Sequence, residues 1–113
     1  RVDALLVIPD PVVLSSDDSV TRLFARAREA NVPVFAYDDS FIEQGALLAI
    51  APDQVTMGTQ AAMIAEDLFS GQGMPRRVVD PAGSEIVLNL KLLPAYSLPL
   101  NKDALPSVNR LIK

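Results

Sequence analysis

Three acidic segments in this sequence each follow an apolar run: Asp10 after residues 4–8, Asp38–Asp39–Ser40 after residues 32–36, and Asp53 after residues 46–50. A carboxylate beside a hydroxyl offers both charge and hydrogen-bond acceptors, the chemistry that orients a small polar ligand. The residue inventory narrows the options. The 113 residues include no Cys and no His, so thiolate or imidazole zinc sites, Cys or Ser–His catalysis and a histidine pH switch are excluded. The expectation for Asp10, Asp38, Asp39, Ser40 and Asp53 is ligand binding, with no catalysis, no metal and no cofactor.

Each of these residues also has a purely structural reading. Asp10 sits between Pro9 and Pro11 and suits a turn, Asp38 and Asp39 suit a solvated loop, and Asp53 suits the N-cap of a following helix. The cap is the better reading for Asp53 and ligand contact the better one for Asp38 and Ser40, with Asp10 between them. Tyr37 and Phe41 flank the acidic pair, where they serve either to stack on a solute or to pack beneath the loop. Gly71-Gln72-Gly73 follows a helical pattern instead of opening one and lacks the Lys and Ser/Thr of a phosphate loop, so it reads as a helix C-cap. Arg76–Arg77 reads as a solvated pair.

The elements that must position these residues follow from apolar spacing. Residues 4–8, closed by Pro9-Asp10-Pro11, suit a central parallel strand buried on both faces. Residues 15–19 supply capping hydroxyls and first-turn acids, and Val20, Leu23, Phe24 and Ala27 follow at helical spacing, which predicts a helix over 17–30 with Asn31 as C-cap. Residues 32–36 and 46–50 read as the second and third strands. Met57, Ala61, Ile64, Ala65, Leu68 and Phe69 make the apolar stripe of a second helix, where Gly58 and Ala61 would allow close approach to the sheet. Residues 86–90 read as one more strand. Residues 91–113, with Pro94, Pro99 and Pro106, read as an irregular tail strapped across the domain.

Strand–helix–strand repeats of this length predict right-handed crossovers and a single α/β lobe over 1–113. The sheet expected is doubly wound and parallel, of four to five strands with helices on both faces. Ligands of such sheets sit outside the carboxyl ends of the strands, which is where all three acidic segments fall.

Composition sets the outer bounds. Half the residues are apolar and 21% are charged, as in one globular domain. The net charge is −4 and the ten Lys and Arg cluster nowhere beyond Arg76–Arg77, so there is no basic footprint for nucleic acid. No apolar run reaches the roughly 18 residues of a membrane span. The opening Arg1–Val2–Asp3–Ala4 has neither an initiator Met nor a signal-peptide pattern and falls inside a strand, which reads as a fragment with part of its binding site elsewhere.

Val2–Asp3–Ala4 with Ile8–Pro9–Asp10, then Asn31 to Ala36, Asp38–Asp39–Ser40–Phe41, Gly45–Ala46 and Gly58–Thr59–Gln60–Ala61–Ala62 resemble, in order and spacing, the ABC-transporter substrate-binding family of type I periplasmic binding protein fold. Val87–Leu88–Asn89–Leu90 with Pro94–Ala95 resembles the end of that family, so the similarity covers nearly the whole chain but only the second lobe. The resemblance implies a receptor of two α/β lobes that closes on a small solute, often an amino acid, and delivers it to an ABC permease. It places the Asp10 and Asp38–Ser40 loops toward the interlobe cleft and Pro52–Asp53 near it. Pro11 stands where the family commonly has a polar side chain. The implied partners are the solute, the missing first lobe and the permease. The implied location is periplasmic or otherwise extracytoplasmic, with or without a lipid anchor. The isolated fragment, with its lobe-facing surface open, is expected to form a homodimer.

Two other classes remain. A receiver-like phosphoacceptor domain shares this topology but needs an aspartate ending the third strand, where the sequence has Ala49–Ile50–Ala51–Pro52. A ligand-sensing input domain of a signalling protein would carry the same lobe.

Overall fold

A computed structural model describes residues 2–73 and 78–113; the Arg76–Arg77 pair lies outside the described residues. The chain runs β1 (Leu5–Leu6), α1 (Asp17–Glu29), β2 (Val34–Ala36), α2 (Phe41–Gln44), β3 (Leu48–Pro52), α3 (Gln54–Phe69), β4 (Ser84–Asn89) and β5 (Arg110–Ile112). Short 3-10 helices at Leu90–Leu92, Pro94–Tyr96 and Lys102–Ser107 join β4 to β5. The five strands lie in the order β1-β2-β3-β4-β5, confirming the α/β class.

The sheet is mixed. The β1–β2, β2–β3 and β4–β5 pairs are parallel. Between β3 and β4, however, Asn89 N–H donates to the Leu47 carbonyl and Asp53 N–H to the Gly83 carbonyl. Partner numbers fall as chain numbers rise, so β4 runs against β3 and the sheet is not parallel throughout. The reason is the path of the chain: residues 80–83 lie beside the first turns of α3, so β4 starts next to the point where β3 ended. The tail is correspondingly less irregular than expected, because it ends in β5.

Two compact units divide the chain, one of residues 1–51 with 86–113 and one of residues 52–85. The first holds the core. The Ser16 hydroxyl accepts from Ser19 N–H to start α1. At its end Asn31, at φ 54°, and Val32 donate their N–H groups to Arg28 and Ala27, the double bond pattern of a left-handed helix stop. The helix thereby presents Val20, Phe24 and Ala27 to a cluster with Val7, Val34, Ala36, Ala49 and Val87, all buried. Each such Val or Phe contributes about 1.5–3 kcal/mol by leaving water. Phe41 stacks on Phe24 with centroids 5.8 Å apart, and Tyr37 meets Phe41 edge-on at 5.4 Å.

The expectation that β1 is buried on both faces does not hold: Leu6 and Ile8 are 66% and 59% exposed. Successive strand residues point to opposite faces, and only the Val7 side meets the core. In addition, β1 is the outermost strand of the described sheet.

In the second unit, α3 is capped by Asp53 and closed by Gly71 at φ 80°, where Gly71 and Gln72 donate to Leu68 and Asp67. That is the C-cap expected of Gly71-Gln72-Gly73. Gln60 pins the returning chain: its Nε2 donates to the Asp80 carbonyl and its Oε1 accepts from Ala82 N–H. A Cβ placed at Gly58 would meet nothing within 4 Å.

Candidate functional site

The parallel register puts the loops after β1 and β2 side by side, since Leu6 pairs with Phe35 and Val7 N–H donates to the Phe35 carbonyl. Asp10 and Asp38 therefore leave neighbouring strands at the same edge of the sheet. Both are half-buried. Pro11 fixes the turn after Asp10, in which Asp10 Oδ1 accepts from Val12 N–H at 2.8 Å and Val13 N–H at 2.9 Å. Both bonds fall on one oxygen.

Asp38 repeats the arrangement. Its Oδ1 accepts from Ser40 N–H at 2.9 Å and from the Ser40 hydroxyl at 2.6 Å. The Ser40 hydroxyl, then its amide, favours the carboxylate and holds Asp38 below the usual carboxyl range. With its proton given to Asp38, the Ser40 oxygen can only accept from a ligand. Oδ2 of Asp10 and Oδ2 of Asp38 carry no hydrogen bond among the described residues. The edge thus offers two carboxylate oxygens and a hydroxyl lone pair, all acceptors. These three atoms suit an ammonium or another cationic donor, and the Ser40 end also borders a cavity lined by Arg110 and Lys91.

The other expected residues are engaged differently. Asp39 is ion-paired with Arg110, each side chain about half exposed. Asp53 belongs to the second unit, where its Oδ1 accepts from Val55 and Thr56 N–H and its Oδ2 from the Thr56 hydroxyl at 2.6 Å. The Thr56 hydroxyl is the main reason that Asp53 titrates below the usual range. This is the helix cap foreseen from sequence. Phe41 is 7% exposed and packs beneath the loop rather than on its surface, and Tyr37 is half-buried against the same core. Arg110 is the site neighbour that the sequence did not flag, because its partner lies 71 positions away. No group of three or more acidic side chains among the described residues could hold a metal ion. No helix among them is long and apolar enough to cross a membrane.

These acceptors stand at the carboxyl ends of the parallel strands β1 and β2, the edge of an α/β sheet where ligands commonly sit. The sequence of residues 1–107 matches the family described as ABC transporter substrate binding protein, and the chain belongs to that family. No curated protein matches it. Solved structures that share the fold include three chains two- to threefold longer than this one. One is a ligand-free, open substrate-binding protein with adhesive properties from Clostridium difficile, at 23% identity and TM-score 0.70, matched over 99% of this chain and 37% of its own. Another is an ABC domain in complex with L-Trp from Streptococcus pneumoniae, at 19% identity and TM-score 0.67, over 99% and 38%. The third is a conserved domain protein from Vibrio cholerae O1 biovar El Tor, at 21% identity and TM-score 0.65, over 96% and 36%. This chain therefore spans little more than a third of those chains.

Proposed function

We propose that this chain is part of the solute receptor of an ABC transporter and contacts the amino group of a small solute, such as an amino acid, through Asp10, Asp38 and Ser40. The observation that carries the proposal is the set of acceptors on Asp10, Asp38 and Ser40 at the strand ends, in a chain of a substrate-binding family. The three acceptors match the three N–H bonds of an ammonium group. The L-Trp in the pneumococcal neighbour supports an amino acid as the first solute to try. Binding takes place in a cleft completed by a first lobe, without catalysis. The protein works outside the cytoplasm, where it delivers its solute to a permease. The share of the neighbours left uncovered supports a further lobe.

Calorimetry on the full-length protein tests the proposal. L-Tryptophan and other amino acids are each paired with the deaminated acid of the same side chain. The amino acid should bind at least tenfold more tightly than its deaminated partner. Equal affinity, or preference for the deaminated acid, overturns the ammonium reading.

A further inference from the structure

We propose that Arg110 is a positioning residue for the solute edge: by holding Asp39 it fixes the loop whose neighbouring residues, Asp38 and Ser40, present the acceptors. The inference rests on the reading of that edge as the solute site. Arg110 opens β5 in register with Val87 of β4, and registered partners in a parallel pair share a face. Val87 is wholly buried in the core, so Arg110 starts β5 on the core side of the sheet, the side that carries α2. From there its Nη2 donates to Asp39 Oδ2, joining positions 71 residues apart.

Asp39 is the middle residue of the three. On either side of it the Asp38 carboxylate and the Ser40 amide and hydroxyl close their own small ring. Behind Asp39 the chain enters α2, which has only four residues and is too short to hold itself. The loop is thus anchored by Phe41 and Ile42 in the core and by Asp39 on Arg110. The ion pair borders a cavity of about 390 Å³ whose other charged walls are Glu43 and Lys91. Because the pair is about half exposed, it adds little to global stability. Its effect is local, on the loop that it restrains.

The test measures the Asp38 carboxyl titration by NMR, together with solute affinity and melting temperature, in the full-length protein and in Arg110→Gln, Asp39→Asn and the double variant. A positioning role predicts that both single variants move the Asp38 pKa upward, since a loosened loop spends less time with the Ser40 bonds made. The double variant should move it no further than Arg110→Gln alone. Affinity should fall by up to about fivefold with little change in melting, and Arg110→Lys should recover part of it. A direct charge effect predicts opposite signs instead: loss of a cation raises the Asp38 pKa, and loss of the Asp39 anion lowers it. Opposite signs, or no movement in either variant, overturn the proposal. The predicted titrations with unchanged affinity would sustain the clamp and overturn the ammonium-site reading, so the two failures are separable.

Discussion

Replacing Asp38 with Ala in the full-length protein should reduce solute affinity far more than stability. Among the described residues, Asp38 makes two side-chain bonds, both through Oδ1 and both to Ser40. Removing them loosens one turn of a loop and costs about 1 kcal/mol of folding free energy or less, a shift of a few degrees in melting temperature. Under the proposed function, the same carboxylate meets a ligand ammonium in a partly desolvated cleft. A charge-assisted hydrogen bond there contributes roughly 1.5–3 kcal/mol, a ten- to hundredfold change in dissociation constant. Isothermal titration calorimetry and thermal melts on the same samples separate the two effects. Asp17→Ala is the control: it removes an acid from the first turn of α1, should cost well under about 1 kcal/mol and should leave affinity alone. An unchanged affinity in Asp38→Ala, or equal losses in both variants, would refute the reasoning and leave Asp10 as the remaining acid of the edge.

Other expectations rest on separate features. Ser40→Ala should bring the Asp38 carboxyl up toward its ordinary value in an NMR titration. Because the native value is lowered, the stabilisation from Asp38 is full above the unfolded pKa of about 3.9 and is lost as pH falls through the lower folded value. The stability gap between wild type and Ser40→Ala, read by denaturant melts, should therefore be present at neutral pH and vanish in acid; a gap that persists in acid would refute it. Phe24→Ala, which removes a ring 4% exposed and stacked on Phe41, should destabilise by about 3–5 kcal/mol in the same melts. Gly45→Ala should also be destabilising, since φ is +113° and a Cβ there would meet Arg28 Nη2 at 3.0 Å. The isolated chain should self-associate in sedimentation through the apolar side of α3, and Phe69→Glu should weaken that association.

What could be seen in the sequence depended on range. α1 is legible because its Ser16 cap, first-turn acids and apolar spacing all lie within one stretch, and the cap reading of Asp53 is legible because the donors it accepts from, Val55 and Thr56, follow at once. α2 is a single turn of Phe41–Gln44, too brief for periodicity to register. β5 is three residues among prolines, held by pairing to β4 rather than by its own pattern. The reversal of β4 is equally non-local, since it depends on where residues 80–83 settle against Gln60. For the site, strand-end position alone indicated Asp10 and Asp38. That each keeps one oxygen free of internal bonds, and that Asp39 is taken up by Arg110, are facts of the folded chain.

The most direct measurement is a crystal structure of the full-length protein with its solute bound. The account predicts a basic nitrogen of the solute at about 2.7–2.9 Å from an Asp38 carboxylate oxygen, with Asp10 or the Ser40 hydroxyl oxygen accepting a second bond. A bound solute that places no donor within hydrogen-bond reach of Asp10, Asp38 or Ser40 would contradict it.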